Sequence, residues 1–269
     1  MQHRMAQQGT EALGTAVTTG AARGIGAAVA VRLARAGYAV AALDVRDMSD
    51  TLERIARHND EAVAYRVDLR SWDEVGEAID RIERDQGPID VVASVAGVWQ
   101  YVPFLELRPE TWRNVLDVNL DGSFHVCRLA AAAMAPRRRG SIVCISSNAA
   151  GLAWVGGSHY SASKAGLLGL VKGMALELGP LGIRVNAICP GTVRTPATEA
   201  DLADAEAERV QVQACPLGRI GTPEDIAEAV AFLADSRASW ITGEALFVDG
   251  GFGTHGEGAA FGAATDSVP

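Results

Sequence analysis

Tyr160 and Lys164 stand four residues apart in the run Tyr160-Ser161-Ala162-Ser163-Lys164. On a helix, that spacing places a phenol and an ammonium on one face. A positive charge beside a phenol favours the phenolate, so the pair predicts a tyrosine pKa drawn down from about 10 toward working pH. A tyrosine so tuned is a general acid/base. Ser147 lies 13 residues before Tyr160, just past an apolar run. A hydroxyl there could hydrogen-bond a substrate oxygen and stabilise the charge that develops on it. Ser146 is a second candidate for that role.

A different chemistry is written near the start of the chain. Thr19-Gly20-Ala21-Ala22-Arg23-Gly24-Ile25-Gly26 follows a short apolar strand and opens a helical stretch. Glycines at Gly20, Gly24 and Gly26 permit a tight turn, through which backbone N–H groups and a helix N-terminus, with Arg23 and Ile25 among them, approach a pyrophosphate. The spacing is G-x-x-x-G-x-G, and no Gly-Lys-Ser/Thr of a Walker loop occurs. Asp44 ends the second apolar run, where a carboxylate can accept from an adenosine ribose and repel a 2′-phosphate. Arg23 and Arg46 act in the opposite direction.

These groups need elements to carry them. Gly14–Thr19, Tyr38–Leu43, Ala62–Val67, Ile89–Val95, Ser141–Ser146, Arg184–Ile188 and Ala245–Val248 read as strands. Ile25–Arg35, Thr51–Arg57, Trp72–Asp85, one long stretch Thr111–Met134, Tyr160–Leu178 and Pro223–Ala234 read as helices. Continuously apolar strands suit a parallel sheet covered on both faces. The expected fold is a single doubly wound Rossmann-type α/β domain over residues 14–251, with a seven-stranded parallel sheet. Residues 1–13 read as a flexible leader and 252–269 as a tail.

Composition narrows the partners. The 269 residues are 48% hydrophobic and 21% charged, with a net charge of −9. An acidic chain lacks the field that attracts phosphate backbones, so nucleic acid is not an expected partner. No apolar run reaches the roughly 18 residues of a membrane span, and the N-terminus shows no signal-peptide pattern, so a cytoplasmic location is expected. The four cysteines and five histidines show no metal-ligand spacing, and no metal is expected.

The glycine turn and the Ser147, Tyr160 and Lys164 set resemble the motifs of the short-chain dehydrogenase/reductase family, and the resemblance runs from Gly14 to Gly251. The separation of 13 residues from the tyrosine favours Ser147 over Ser146. Within the resemblance, Asn119 corresponds to a residue that holds a water beside Lys164, and Lys164 binds the nicotinamide ribose. Asp68-Leu69 matches an adenine-contacting pair. Pro190-Gly191-Thr192-Val193-Arg194-Thr195 resembles the loop that positions the carboxamide, through Pro190, Gly191, Val193 and Thr195. Asp249-Gly250-Gly251 resembles the family's end. Where the family has Asn-Asn-Ala-Gly, this chain has Ser94-Val95-Ala96-Gly97, so Ala96 and Gly97 still admit the adenosine side while the amides that brace the sheet are missing. The resemblance implies an NAD-dependent enzyme (NADP second) interconverting a secondary alcohol and a ketone, in a homotetramer built on the long helices. A nucleotide-sensing protein without catalysis is the alternative of another class.

Substrate is the least legible part. Trp99, Trp154 and His159 are expected to border it, and indole rings suit a ring or hydrocarbon skeleton. Residues 196–215 fall where the family has a lid, rich in acidic side chains expected to be mostly solvated. The lid should be the least ordered part without ligand. Val95-Ala96-Gly97-Val98 and residues 137–151 are similar to 2,3-dihydro-2,3-dihydroxybenzoate dehydrogenases, but the segment 151–159 holds no cation. A buried carboxylate would then need Arg194. The reading is a small neutral cyclic alcohol or ketone, with the dihydroxybenzoate reaction or a 3-oxoacyl-type ketoreductase as alternatives.

Overall fold

The computed structural model describes residues 13–58 and 61–254. The expected leader up to residue 12 and the tail beyond 254 lie outside the described residues. Seven strands, β1 (Leu13–Thr19), β2 (Tyr38–Asp44), β3 (Ala62–Arg66), β4 (Ile89–Ser94), β5 (Gly140–Ile145), β6 (Ile183–Pro190) and β7 (Ala245–Val248), form one sheet in the order β3-β2-β1-β4-β5-β6-β7. Every pairing is parallel. Leu13, assigned to the leader, belongs to β1 and pairs with Tyr38.

Among the described residues there are eight α-helices: α1 (Gly24–Arg35), α2 (Ser49–Ala56), α3 (Trp72–Asp85), α4 (Pro109–Leu116), α5 (Gly122–Met134), α6 (Ser158–Leu178), α7 (Ala205–Gln213) and α8 (Pro223–Ala234). Apolar residues of α3, α5 and α6 pack on one face with Val17, Ile142 and Val185. Those of α1, α2 and α8 pack on the other with Ala16, Val143 and Ile188. Neighbouring strand residues thus enter opposite cores, which is why the strands show apolar runs rather than alternation. No helix among the described residues is long and apolar enough to cross a membrane.

One expectation fails here. The predicted single helix Thr111–Met134 is divided into α4 and α5 by a π-helical turn, Asp117–Asp121. Asn119 sits in that turn, fully buried, with its amide bonded outside the helix. A one-residue bulge leaves the apolar pattern almost unchanged, so periodicity cannot reveal it.

The order reverses between β1 and β4, opening a crevice at the carboxyl ends of the strands. On the far side of the sheet, α8 starts with a capping box. Thr222 Oγ1 accepts from the Asp225 N–H, and the Asp225 carboxylate accepts from the Thr222 N–H at 2.7 Å. Arg219 donates to both Asp225 oxygens at 2.7 and 2.8 Å and holds that carboxyl well below the usual range. A depressed carboxyl pKa stabilises the fold above the unfolded value near 3.9 and loses that contribution as pH falls. Asp225→Asn should therefore cost about 1 kcal/mol at pH 7. Urea titrations should show the gap narrowing steadily below about pH 4; a gap independent of pH would contradict the assignment.

Candidate active site

The crevice begins at the glycine turn. Gly20 and Gly24 have φ of +66° and +57°, a region that side-chain-bearing residues rarely occupy. A Cβ on Gly26 would overlap the Gly20 carbonyl, so the strand can turn into α1 this sharply only without one. No side chain caps α1, and its first-turn N–H groups are left for an anion in the crevice. Thr19 Oγ1 accepts from the N–H groups of Val95 and Ala96 at 2.9 and 3.0 Å, pinning the end of β4 to the turn. Ser94 Oγ donates to Ser123 Oγ at 3.2 Å, which donates to the Asn119 carbonyl at 2.8 Å. These hydroxyls supply the bracing that the missing amides put in question. Sequence reasoning passed over Thr19 and Ser123, whose types carry no signal of such a role.

A cavity of about 860 Å³ runs along this edge, lined by the glycine turn with Arg23 and Ile25, and by Asp44, Arg46, Asp68, Leu69, Ala96 and Gly97. Its volume and the uncapped helix at its edge suit the phosphates and adenosine side of a dinucleotide. The Asp44 carboxylate is fixed by the N–H groups of Ala22 and Arg46, each at 3.0 Å. Asp68 is held by Arg70, whose guanidinium lowers its pKa.

A second cavity, about 670 Å³, continues past Ile25, Val95, Gly97 and Thr195, which line both. It brings together Ser147, Tyr160 and Lys164 with Pro190, Gly191, Val193 and Thr195. Lys164 is only 3% exposed and donates to the Ile145 carbonyl at 2.8 Å. Burial pulls its pKa down to about 8. Asn119 lies beside it: a Cβ on Gly97 would stand 3.3 Å from Asn119 Oδ1 and 3.4 Å from Lys164 Nζ. Asn119 accepts from the Val98 N–H and donates to the Val98 carbonyl and to Ser163 Oγ, at 2.8, 2.9 and 3.1 Å.

The expected lowering of the Tyr160 pKa is corrected. Burial pushes the phenol up, with the Ser147 hydroxyl acting the other way. Lys164 Nζ is 5.7 Å from the ring centre and turned to a carbonyl, so desolvation outweighs its charge. Ser146 Oγ is spent on the Lys164 carbonyl at 2.9 Å, whereas Ser147 Oγ accepts from the Ala149 N–H and reaches Asn148 Oδ1 at 3.3 Å.

Trp99 and Trp154 line the cavity, and the Trp154 ring lies 5.5 Å from that of Tyr160. His159 does not line it. It is fully buried, because neighbours on a helix point about 100° apart and residue 160 already faces the cavity. Burial lowers the His159 pKa, with the Gln100 backbone opposing. Arg194 does not line it either; it pairs with Glu208 at 2.6 Å. The acidic side chains of the expected lid are mostly solvated, with Glu199, Asp201, Asp204 and Glu206 exposed and Glu208 half-buried; even so, Glu206 pairs with Arg209 and Asp204 caps α7 through the Ala207 N–H. Walls that sequence reasoning missed include Tyr101, Leu152, Leu202, Gln211 and Phe252. Phe252 was assigned to the tail; Asp249 accepts from the N–H groups of Gly251 and Gly253, both at 2.9 Å, and fixes the turn that carries it.

Sheet order and crevice place the chain among doubly wound α/β proteins. A family profile described as enoyl-(acyl carrier protein) reductase matches residues 20–253. The chain is 39% identical over 236 residues to the acetoacetyl-CoA reductase of Shinella zoogloeoides, covering 88% of this chain and 97% of that one. It is 38% identical over 241 residues to 3β-hydroxysteroid dehydrogenase 1 of Eggerthella lenta, covering 88% and 92%. A solved Agrobacterium tumefaciens structure with bound NADP, provisionally described as a 2-deoxy-D-gluconate 3-dehydrogenase, superposes with a TM-score of 0.84 at 34% identity, over 90% of this chain and 97% of that one. This chain belongs to the short-chain dehydrogenase/reductase family, NAD(P)-linked oxidoreductases of alcohols and ketones.

Lys164 makes a prediction about stability. Its folded pKa is depressed, so the charged side chain opposes folding below about pH 8, and the penalty fades as pH rises toward the unfolded value. Near neutrality that penalty is up to about 3 kcal/mol at 1.36 kcal/mol per pKa unit. Removing the side chain also gives up a hydrogen bond of about 1 kcal/mol. Lys164→Met should raise the unfolding temperature at pH 7, with the gain shrinking between about pH 8 and 10. A destabilised variant at pH 7 would count against the account.

Proposed function

We propose that the protein is an NAD-preferring oxidoreductase that interconverts a secondary alcohol and a ketone on a small neutral cyclic substrate, with Tyr160 as general acid/base. The observation that carries this reading is the shared cavity: the Tyr160 phenol and the Ser147 hydroxyl open onto one apolar space beside the loop Pro190–Thr195. A nicotinamide bound there supplies or accepts the hydride. In reduction, Tyr160 gives its proton to the ketone oxygen while Ser147 hydrogen-bonds that oxygen; in oxidation the proton returns. A phenol whose burial favours the neutral form suits the acid role. Lys164 lines the second cavity and would hold a ribose; Asn119 is buried behind Gly97, which lines both cavities, and would hold a water beside Lys164. The NAD preference rests on Asp44, whose fixed carboxylate would face a 2′-phosphate, against Arg23 and Arg46 on the same rim.

Charge supports a neutral substrate. Among the described residues lining the second cavity, Lys164 is the one cation and Asp201 the one anion. With Arg194 engaged by Glu208, no cation awaits a carboxylate, which disfavours the dihydroxybenzoate reaction. The absence of any cation besides the buried Lys164 in the described lining also disfavours the phosphates of an acyl-CoA. The indoles of Trp99 and Trp154 offer flat apolar walls to a ring. Assembly as a homotetramer through the long helices fits the exposed Phe124 on α5 and Leu176 on α6.

Tyr160→Phe should lower kcat by about 10²–10⁴-fold. It should leave NADH affinity, measured by fluorescence titration, near that of the wild type. Near-normal turnover would remove Tyr160 from the reaction. Asp44→Ala should move the ratio of kcat/KM for NADP over NAD upward by about tenfold or more, since a carboxylate facing a phosphate costs at least about 1.4 kcal/mol. An unmoved ratio would defeat the cofactor assignment.

A further inference from the structure

One polar group in the substrate cavity has no part in the proton and hydride steps. Gln211, in the last turn of α7, lines the cavity together with Leu202, Ala207 and Phe252. Its Oε1 accepts from the Thr192 hydroxyl at 2.7 Å. With the oxygen so engaged, the amide nitrogen of the half-buried Gln211 makes no hydrogen bond to a protein group among the described residues and stays open to water or to a ligand. A primary amide carries two N–H donors. The apolar neighbours Leu202, Ala207 and Phe252 offer no side-chain acceptor. When a substrate displaces water from such a site, the donors go unpaired unless the substrate brings an acceptor of its own. Of the other polar lid residues in the cavity, Thr198 donates its hydroxyl to the Val193 carbonyl at 2.7 Å, and Asp201 is an acceptor only and is largely exposed.

The geometry points to Gln211 as a specificity-determining residue that donates to a second, non-reacting oxygen of the substrate. The substrate class becomes a neutral ring compound with two oxygens: a hydroxyketone, a dione or the corresponding diol. This rests on the reading of the cavity as the site of ketone reduction. The reacting oxygen is met by Tyr160 and Ser147, and the second oxygen by the Gln211 amide. A site built to hydrogen-bond a substrate group discriminates strongly against analogues that lack it.

The test compares NADH-dependent reduction of trans-decalin-2-one with that of trans-decalin-2,6-dione. Both share one skeleton, and the dione has a statistical advantage of two. The wild type should prefer the dione by about tenfold or more in kcat/KM, mainly through KM, in line with a site that pairs a polar substrate group. Gln211→Met should bring that preference to about the statistical factor, read as the ratio of kcat/KM for the two ketones in the same variant, so that any general effect of the substitution cancels. Gln211→Glu keeps an oxygen for the Thr192 hydroxyl and so keeps the tie between α7 and the loop after β6, but removes the N–H donors. It too should lose the preference. A Glu variant that retains the preference, or a wild type that shows none, overturns the role of Gln211 while leaving the reading of the site intact. Failure of the wild type to reduce either ketone overturns both.

Discussion

An ammonium group held almost entirely out of water is the constraint on which the centre of this molecule depends. Among the described residues, Lys164 Nζ has one hydrogen-bond acceptor, the Ile145 carbonyl at the end of β5. A buried charge with so little compensation is expensive, and the surrounding structure is arranged around it. Residue 97 has no side chain, because any Cβ would press on Lys164 and Asn119. The helix before it swells into a π turn that lets Asn119 reach Val98. Ser146 ties the Lys164 backbone to β5, fixing the start of α6 and therefore the direction of Tyr160.

That arrangement explains why both ionisable groups shift as they do. Burial favours the neutral form of each, raising the phenol and lowering the lysine. Their pKa values move apart, the phenol above its ordinary value and the lysine down to about 8, and desolvation rather than pairwise charge sets both. In water the same two residues at the same helical spacing would titrate near 10.

The two cavities meet at residues drawn from three strand ends, with Ile25 after β1, Val95 and Gly97 after β4, and Thr195 after β6. A parallel sheet puts all those ends on one edge, so an extended ligand can run from the glycine turn to Tyr160 without crossing an element. Further walls come from late in the chain. Helix α7 contributes Ala207 and Gln211, and the turn after β7 contributes Phe252. Salt bridges and caps on the outer side of α7, Arg194 with Glu208 and Asp204 with the Ala207 N–H, hold these walls in place.

The sequence by itself determined whatever depends on neighbours along the chain. Apolar runs named the strands, glycine spacing named the turn, and the spacing of Tyr160 and Lys164 put both on one helical face, because backbone geometry over four residues is local. It also indicated that Trp99 and Trp154 border one space, since each follows a strand that ends at the crevice. Only the tertiary structure decided what depends on burial and on groups far apart in sequence. His159 turns into the interior because its neighbour takes the cavity, and Arg194 is neutralised by a residue on a different element. Thr19 replaces a missing amide by reaching another strand. The Tyr160 pKa rises rather than falls, because the loss of solvent is a property of the packed molecule and leaves no mark on the local sequence.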